Sequence, residues 1–228
     1  MSDGTLVQPR VSVVTPAYNA GRTLARACRS VDCQSLADWE HIIVDDGSTD
    51  ESPRVLAELH RTSKRHIHRT ENRGQSAALN FGVRASRGKY IAFLDADDEF
   101  LPRHLELRVE QMEAEPELDL TWGGVELVAS AGDQVQVPDL ERGCGWIDVG
   151  KCVVQGTLLV RRHVFEAILF TEDRSIWYQD FDFVRRAKAH SYRCKRFEQA
   201  TYRYYRDSGT SLVDKAKAAW AGGSASNE

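Results

Sequence analysis

Residues 88–100 read Gly-Lys-Tyr-Ile-Ala-Phe-Leu-Asp-Ala-Asp-Asp-Glu-Phe. A short apolar run, Tyr90 to Leu94, goes straight into carboxylates at Asp95, Asp97 and Asp98. Clustered carboxylates repel one another and lose hydration when enclosed. A buried strand that ends in three of them therefore calls for a compensating partner. A hard divalent cation prefers oxygen ligands and commonly bridges to ligand phosphates. The plainer reading is a solvated Asp-rich turn ahead of the next helix, and the segment alone leaves both open.

The organisation around this segment narrows the fold. Strand-like and helix-like patterns alternate, which predicts an α/β protein with a mostly parallel sheet covered on both faces. Strands are expected at Val11 to Thr15, His41 to Val44, around Ile67 and at Tyr90 to Leu94. Helices are expected at Thr23 to Val31, Ser52 to Leu59 and Gln75 to Ala85, with another near Pro102 carrying Leu105, Val109 and Met112 inward. In open sheets of this kind, ligands bind beyond the carboxyl ends of the strands. Pro16 to Asn19, Asp45 to Ser48 and Asp95 to Asp98 all fall at such ends.

Glycines at 123, 124, 132, 143, 145 and 150 break the following region into short pieces. A hairpin is expected there, Val125 to Ala129 against Gln134 to Val137. Further on, strands are expected at Thr157 to Val160, Tyr192 to Arg196 and Thr201 to Tyr205, and helices at Arg161 to Ile168 and Phe181 to Ala189. The small polar end, Ala221 to Glu228, reads as a frayed tail.

The 228 residues suit a single domain with a substantial core. A formal charge of -4 gives no support to a nucleic-acid partner. No apolar run approaches a membrane span and residues 1–10 lack a signal-peptide core, so a soluble protein with room for peripheral membrane contact is expected. The five cysteines form no C-x-x-C pair and argue for reduced, mostly buried thiols in a cytoplasmic protein, not for zinc.

Four segments carry a family resemblance. Val11-Ser-Val-Val-Thr-Pro-Ala-Tyr-Asn19, Ile42-Ile-Val-Asp-Asp-Gly-Ser-Thr-Asp50, Glu71-Asn-Arg-Gly-Gln-Ser-Ala-Ala-Leu-Asn80 and Asp95-Ala-Asp97 occur in order. In sequence and spacing they resemble the family 2 glycosyltransferases, which move a sugar from a nucleotide-sugar to an acceptor. The resemblance implies a GT-A type, Rossmann-like fold. It divides the single domain into a nucleotide-sugar-binding half at about 9–122, a small mixed acceptor-side half at about 123–212 and a tail at 213–228.

By resemblance, Asp46 hydrogen-bonds the base, usually uracil, Tyr18 covers it, and Pro16 and Ala17 supply backbone beside it. Arg73 holds the base or a phosphate. Asp95 and Ala96 line the ribose side, and Asp97, with help from Asp95, holds Mn²⁺ or Mg²⁺ against the diphosphate. Asp98 and Glu99 are expected to hold the following loop and helix start. The plain alternatives are turn capping for Asp45, Asp46 and Ser48, core packing for Tyr18 and a solvated Arg73.

On the acceptor side, Ile176-Trp-Tyr-Gln-Asp180 resembles a segment in which the family usually has Glu-Asp. Gln179 replaces the first carboxylate, and Asp180 inherits the role of general base, or is an ordinary helix N-cap. Asp182 is a weaker candidate. Trp177 and Tyr178 would stack on an acceptor sugar or pack in the core, and Gln179 would line the acceptor. Gln155-Gly-Thr-Leu-Leu-Val-Arg-Arg162 and Tyr202-Arg-Tyr-Tyr-Arg-Asp-Ser-Gly-Thr-Ser211 extend the likeness. Tyr205 stands where His is usual, which thins the metal site; Arg203 or Arg206 could grip phosphate instead.

The expected activity is inverting transfer from a nucleotide-sugar, a UDP-sugar by resemblance, to a glycan or lipid-linked acceptor, with oligomeric state open. A noncatalytic nucleotide- or glycan-binding descendant is the alternative. A nucleotidyltransferase would want a richer phosphate loop than Ala20-Gly-Arg22.

Overall fold

The protein is described by a computed structural model that covers residues 8–59, 64–129, 136–176 and 178–206. Trp177, Gly132, Ser208 to Ser211 and the frayed-tail segment therefore lie outside the described residues. The core is one eight-stranded sheet in the order β3-β2-β1-β4-β9-β6-β10-β5. Strands β1 (Val11–Ala17), β2 (Trp39–Asp45), β3 (Arg65–Arg69) and β4 (Tyr90–Phe93) run parallel. Every residue of β1, β2 and β4 is buried, as expected of strands covered on both faces.

Helices α1 (Leu24–Asp32), α2 (Ser52–Leu59) and α3 (Gln75–Ala85) supply the crossovers. Leu24, Ala27, Cys28 and Val31 form the buried stripe of α1, and Ala78, Leu79 and Val83 that of α3. Register then fixes the working edge. Ala17 pairs with Asp45, so β1 and β2 end together, while β4 stops earlier at the same edge, at Phe93 opposite Val14. Asn19, in the left-handed region at φ 52°, clasps two of these ends: its Oδ1 accepts from Thr49 N at 2.9 Å, and its own N donates to Ser48 Oγ at 3.0 Å.

The second half departs from the sequence reading in several places. Strand β5 (Glu99–Phe100) leads into α4 (His104–Ala114), which starts two residues after Pro102. Among the described residues, strand β6 (Leu120–Val128) does not pair with Gln136 and Val137 of the expected hairpin, whose residues 134 and 135 lie outside the described residues. It pairs in parallel with β10 (Cys194–Tyr205) and antiparallel with β9 (Leu159–Arg161). Strand β7 (Gln136–Pro138) pairs instead with β8 (Trp146–Asp148) in a separate two-stranded sheet. The glycines at 143 and 145, both at positive φ, turn the chain between these two. The two strands expected at 192–196 and 201–205 are one strand, β10, with a register shift between Phe197 and Tyr202. The helix expected at 161–168 shrinks to α5 (Val164–Ala167), because Arg161 is held in β9. Helix α6 (Gln179–Ala189) follows the predicted pattern.

All five cysteines are free, but only Cys28 is buried; Cys33 and Cys144 are exposed. The expectation of mostly buried thiols is corrected: Cys33 lies just past the end of α1 and Cys144 in the β7–β8 turn. No helix among the described residues is long and apolar enough to cross a membrane.

Candidate functional site

The common strand end opens into a cleft of about 1510 Å³. All eight residues expected at the nucleotide line it: Pro16, Ala17, Tyr18, Asp46, Arg73, Asp95, Ala96 and Asp97. Tyr18 is 52% exposed, which is incompatible with core packing. Arg73 is also largely exposed and lies 3.3 Å from Glu172.

The paired aspartates after β2 divide their work. Asp45 holds its turn by accepting from Ser48 N at 2.9 Å, so turn capping is its role. Gly47 makes the turn feasible at φ +76°, where a Cβ would also meet Asn72 N at 2.9 Å. The start of α2 is fixed by Asp50, which accepts from Ser52 N at 2.9 Å, and not by Asp46 or Ser48. Asp46 is buried and accepts from Arg73 N at 2.9 Å, Gly74 N at 2.7 Å and Thr70 Oγ1 at 3.3 Å. A carboxylate offers about four lone-pair sites, so one remains beyond these three donors. Gly74, at φ +94°, lets the backbone deliver its N–H to Asp46.

The carboxylates after β4 also diverge. Asp98 is buried at the edge of the cleft, and its carboxylate is taken up by β10. It accepts from Tyr202 OH at 2.7 Å and Tyr205 N at 2.9 Å, which ties the loop to β10 and not to the helix start. Burial, with Asp97 and Asp95 nearby, pushes its carboxyl well above the usual range. Asp97 is exposed in the cleft, and its backbone oxygen accepts from Arg26. Asp95 accepts from Gln75 Nε2 at 3.1 Å and Gln155 Nε2 at 2.9 Å. Burial, then the charges of Asp97 and Asp180, push the Asp95 carboxyl up to about 7.

A chain of polar contacts runs from here to the acceptor side. Gln179 donates to Gln75 Oε1 at 3.1 Å, and Gln155 N donates to Asp180 Oδ2 at 3.2 Å. Asp180 is thereby one residue removed from Asp95. It sits inside the first turn of α6, whose N-cap is Tyr178, so it is not an ordinary N-cap. Burial pushes its carboxyl up to about 6, against hydrogen bonds from Phe181 N and Gln155 N that lower it. Asp180 faces a second cavity, of about 250 Å³, that shares Gln75, Asp95 and Gln179 with the large cleft. Tyr178 also lines this cavity and lies edge-on to Phe181 at 6.4 Å.

Asp182 is excluded as a base by its partners. It accepts from Thr171 Oγ1, Arg185 Nη2 and Arg186 Nε, each at 2.8 Å. Burial raises its carboxyl, but these bonds outweigh burial and hold it below the usual range. Tyr205, in the usual His position, donates its hydroxyl to Glu99 while the Arg26 guanidinium covers its ring at 3.6 Å. Arg203 is engaged by Glu126 at 2.9 Å and by Glu99 at 3.6 Å, so it does not reach for phosphate. Arg206 N donates to Val128 O at 2.9 Å.

Gln155 and Gln75 orient the carboxylates, a role no motif in the sequence marks. The available signal was an amide residue beside Gly156, just ahead of β9. Among the described residues, no group of three or more His, Cys, Asp or Glu is arranged to hold a metal ion by itself.

The mostly parallel sheet with a carboxylate-lined cleft at its strand ends matches a Rossmann-like, GT-A type fold. The family described as "Glycosyl transferase family 2" matches residues 12–143. The chain belongs to that family. It is 38% identical over 106 residues to the "Succinoglycan biosynthesis protein ExoO" of Rhizobium meliloti, covering 46% of this chain and 30% of ExoO. The fold matches S. aureus TarS 1-349 in complex with UDP-GlcNAc at TM-score 0.73 and 18% identity, over 89% of this chain and 60% of TarS 1-349. It also matches mannosyltransferase PcManGT of Pyrobaculum calidifontis, in complex with GDP-Man and Mn²⁺, at TM-score 0.66 and 22% identity, over 87% of this chain and 57% of that one. The chain spans half or less of the length of the first curated relatives it matches.

Proposed function

We propose that the protein is an inverting glycosyltransferase that moves a sugar from a UDP-sugar to a hydroxyl of a glycan or lipid-linked acceptor. The observation that carries this reading is Gln155, which joins the donor-side Asp95 to the acceptor-side Asp180. A single displacement needs a base on one side of the sugar and a nucleotide held on the other. Asp46 takes the N–H of the base with its remaining acceptor site, and Tyr18 covers the ring. Asp180 accepts the hydroxyl proton; its elevated carboxyl, near 6, suits a base that works close to neutral pH. The acceptor oxygen then bonds to the anomeric carbon as the carbon–phosphate oxygen bond breaks. The nucleoside diphosphate leaves with that electron pair.

Asp95 and Asp97 fit a hard divalent cation. They are two cleft carboxylates, the charge on Asp95 is destabilised by burial and then by its neighbours Asp97 and Asp180, and Mg²⁺ is commonly held by one or two carboxylates plus substrate phosphates. Mn²⁺ or Mg²⁺ bound there would supply charge stabilisation to the departing diphosphate. The complex of PcManGT with GDP-Man and Mn²⁺ supports the same reading. The test is nucleotide release from UDP- and GDP-sugars, with and without Mn²⁺ or Mg²⁺ and with candidate acceptors. Binding of UDP-sugar with no turnover over any acceptor would favour a noncatalytic binder.

A further inference from the structure

Three glutamines close a ring with the carboxylates of the site. Gln75 Nε2 donates to Asp95 Oδ1 at 3.1 Å, and Gln155 Nε2 donates to the same oxygen at 2.9 Å. Gln179 Nε2 donates to Gln75 Oε1 at 3.1 Å. The peptide bond after Gln179 leads to Asp180, whose Oδ2 accepts from Gln155 N at 3.2 Å and so returns the ring to Gln155. Each glutamine is the first residue of a helical turn: Gln75 of α3, Gln179 of α6 and Gln155 of a 3-10 turn at Gln155–Thr157. Secondary structure therefore fixes all three backbones, and the side chains span the gaps between them.

The direction of these bonds follows from Asp95. Its Oδ1 is the acceptor of two amides, and an amide group has an accepting oxygen on one side and a donating NH₂ on the other. Gln75 spends its NH₂ on Asp95, so its oxygen faces residue 179, and only a donor fits there. A carboxylate at that position would set one acceptor against another, unless Gln75 turned over and withdrew its NH₂ from Asp95. The bridge through Gln155 alone would leave Asp95 free to pivot about one contact. The second path, through Gln75 and Gln179, removes that freedom by tying Asp95 to the residue next to Asp180.

We infer that Gln179 is a positioning residue: it acts on Asp95 through Gln75, and the ring it closes holds the donor-side carboxylate at a set distance from the acceptor-side one, so position 179 requires a hydrogen-bond donor. The roles of the two aspartates rest on the proposed transferase reading; the ring itself does not. Small displacements of reacting groups are costly in rate, which is what a second tether would prevent.

The experiment has two arms. In the nucleotide-free, ¹⁵N-labelled protein, the Gln179 side-chain amide signal is identified as the one lost in Gln179→Met. Asp95→Ala should shift that signal, although Asp95 reaches Gln179 only through Gln75, and the shift should vanish in a Gln75→Leu background. No shift, or the same shift in both backgrounds, would overturn the inference. The second arm is transfer kinetics. Gln179→Met removes the donor without adding charge and should lower kcat about tenfold, with KM for the UDP-sugar within about twofold and the melting temperature retained. Gln179→Glu should lower kcat at least as far, and adding Gln75→Lys, whose ammonium can donate to both neighbours, should recover most of the loss. Parental kcat in Gln179→Met, or a Gln179→Glu defect that Gln75→Lys leaves unchanged, would also overturn it. A parent protein that turns over no donor would sink the transferase reading, and the amide signals would then decide the ring by themselves.

Discussion

Gln155 donates its side-chain amide to Asp95 Oδ1 at 2.9 Å. Its backbone N–H, at the same time, reaches Asp180 Oδ2 at 3.2 Å. One residue just ahead of β9 therefore sets the spacing between the two carboxylates assigned to opposite sides of the transferred sugar.

The Asp180→Asn variant tests the base. Loss of a general base typically costs about 10²–10⁴ in rate. Transfer should fall by that order while UDP affinity in calorimetry stays at the parent value. Transfer at the parent rate would remove Asp180 from the mechanism, and Asp182 offers no substitute because its oxygens are already held by Thr171, Arg185 and Arg186.

Acidity should report the same group. Below the Asp180 value of about 6, the transfer rate should drop about tenfold per pH unit as the base is protonated. Stability should move the other way. The folded carboxyl lies above its unfolded value of about 3.9, so its stabilising influence is complete below that value and is lost as pH rises through about 6. Asp180→Asn should consequently be more stable than the parent at pH 8, on the order of 1–2 kcal/mol after one backbone hydrogen bond is given up. The gap should close near pH 4 in denaturant titrations.

Asp46 joins two jobs. Its carboxylate anchors the loop at Thr70, Arg73 and Gly74 and is assigned the nucleotide base. Asp46→Ala should weaken UDP binding by about 1.5–3 kcal/mol, the scale of a lost charge-assisted hydrogen bond, and should also lower the melting temperature. A variant that melts early but binds UDP normally would confine Asp46 to the loop.

For the cation, UDP affinity should rise on addition of Mn²⁺ or Mg²⁺ and fall with EDTA, and Asp97→Ala should erase the difference. Identical affinities under all of these conditions would rule out the metal role of Asp97.

Tyr202→Phe makes a purely structural case. It strips the hydroxyl donor from the buried Asp98 carboxyl, and leaving a buried group unsatisfied costs about 1–3 kcal/mol. Gly156→Ala should be at least as harmful, because its Cβ would lie 2.0 Å from the Tyr202 ring. Melting temperatures of the two variants check both expectations.

The donor edge was legible in the sequence because its strands are buried on both faces and end in polar turns. Val11 to Thr15 and Tyr90 to Leu94 read as apolar runs for that reason, and Asp46, Asp95 and Asp97 follow at once. The acceptor side was less legible because its pairings are long-range. Nothing local in Val125 to Ala129 announces a partner at 202–205 in place of the nearby 134–137 segment. Gln155 was hidden for the same reason: it lies 60 residues from Asp95 in sequence. The divergence of Asp97 from Asp98 was equally invisible, since only the arrival of Tyr202 and Tyr205 shows which carboxylate is used up.

The fastening of Asp98 to β10 limits how this chain could be recombined. The stretch that matches the family, 12–143, contains the whole donor edge but neither Tyr202 nor β9, which lies between β4 and β6. Excised, it would carry an unmatched carboxyl and a gap in the middle of its sheet. A graft that exchanged the C-terminal portion for another specificity would have to bring its own counterpart of Tyr202, so the freedom to change acceptors is bounded by a phenol that touches neither substrate.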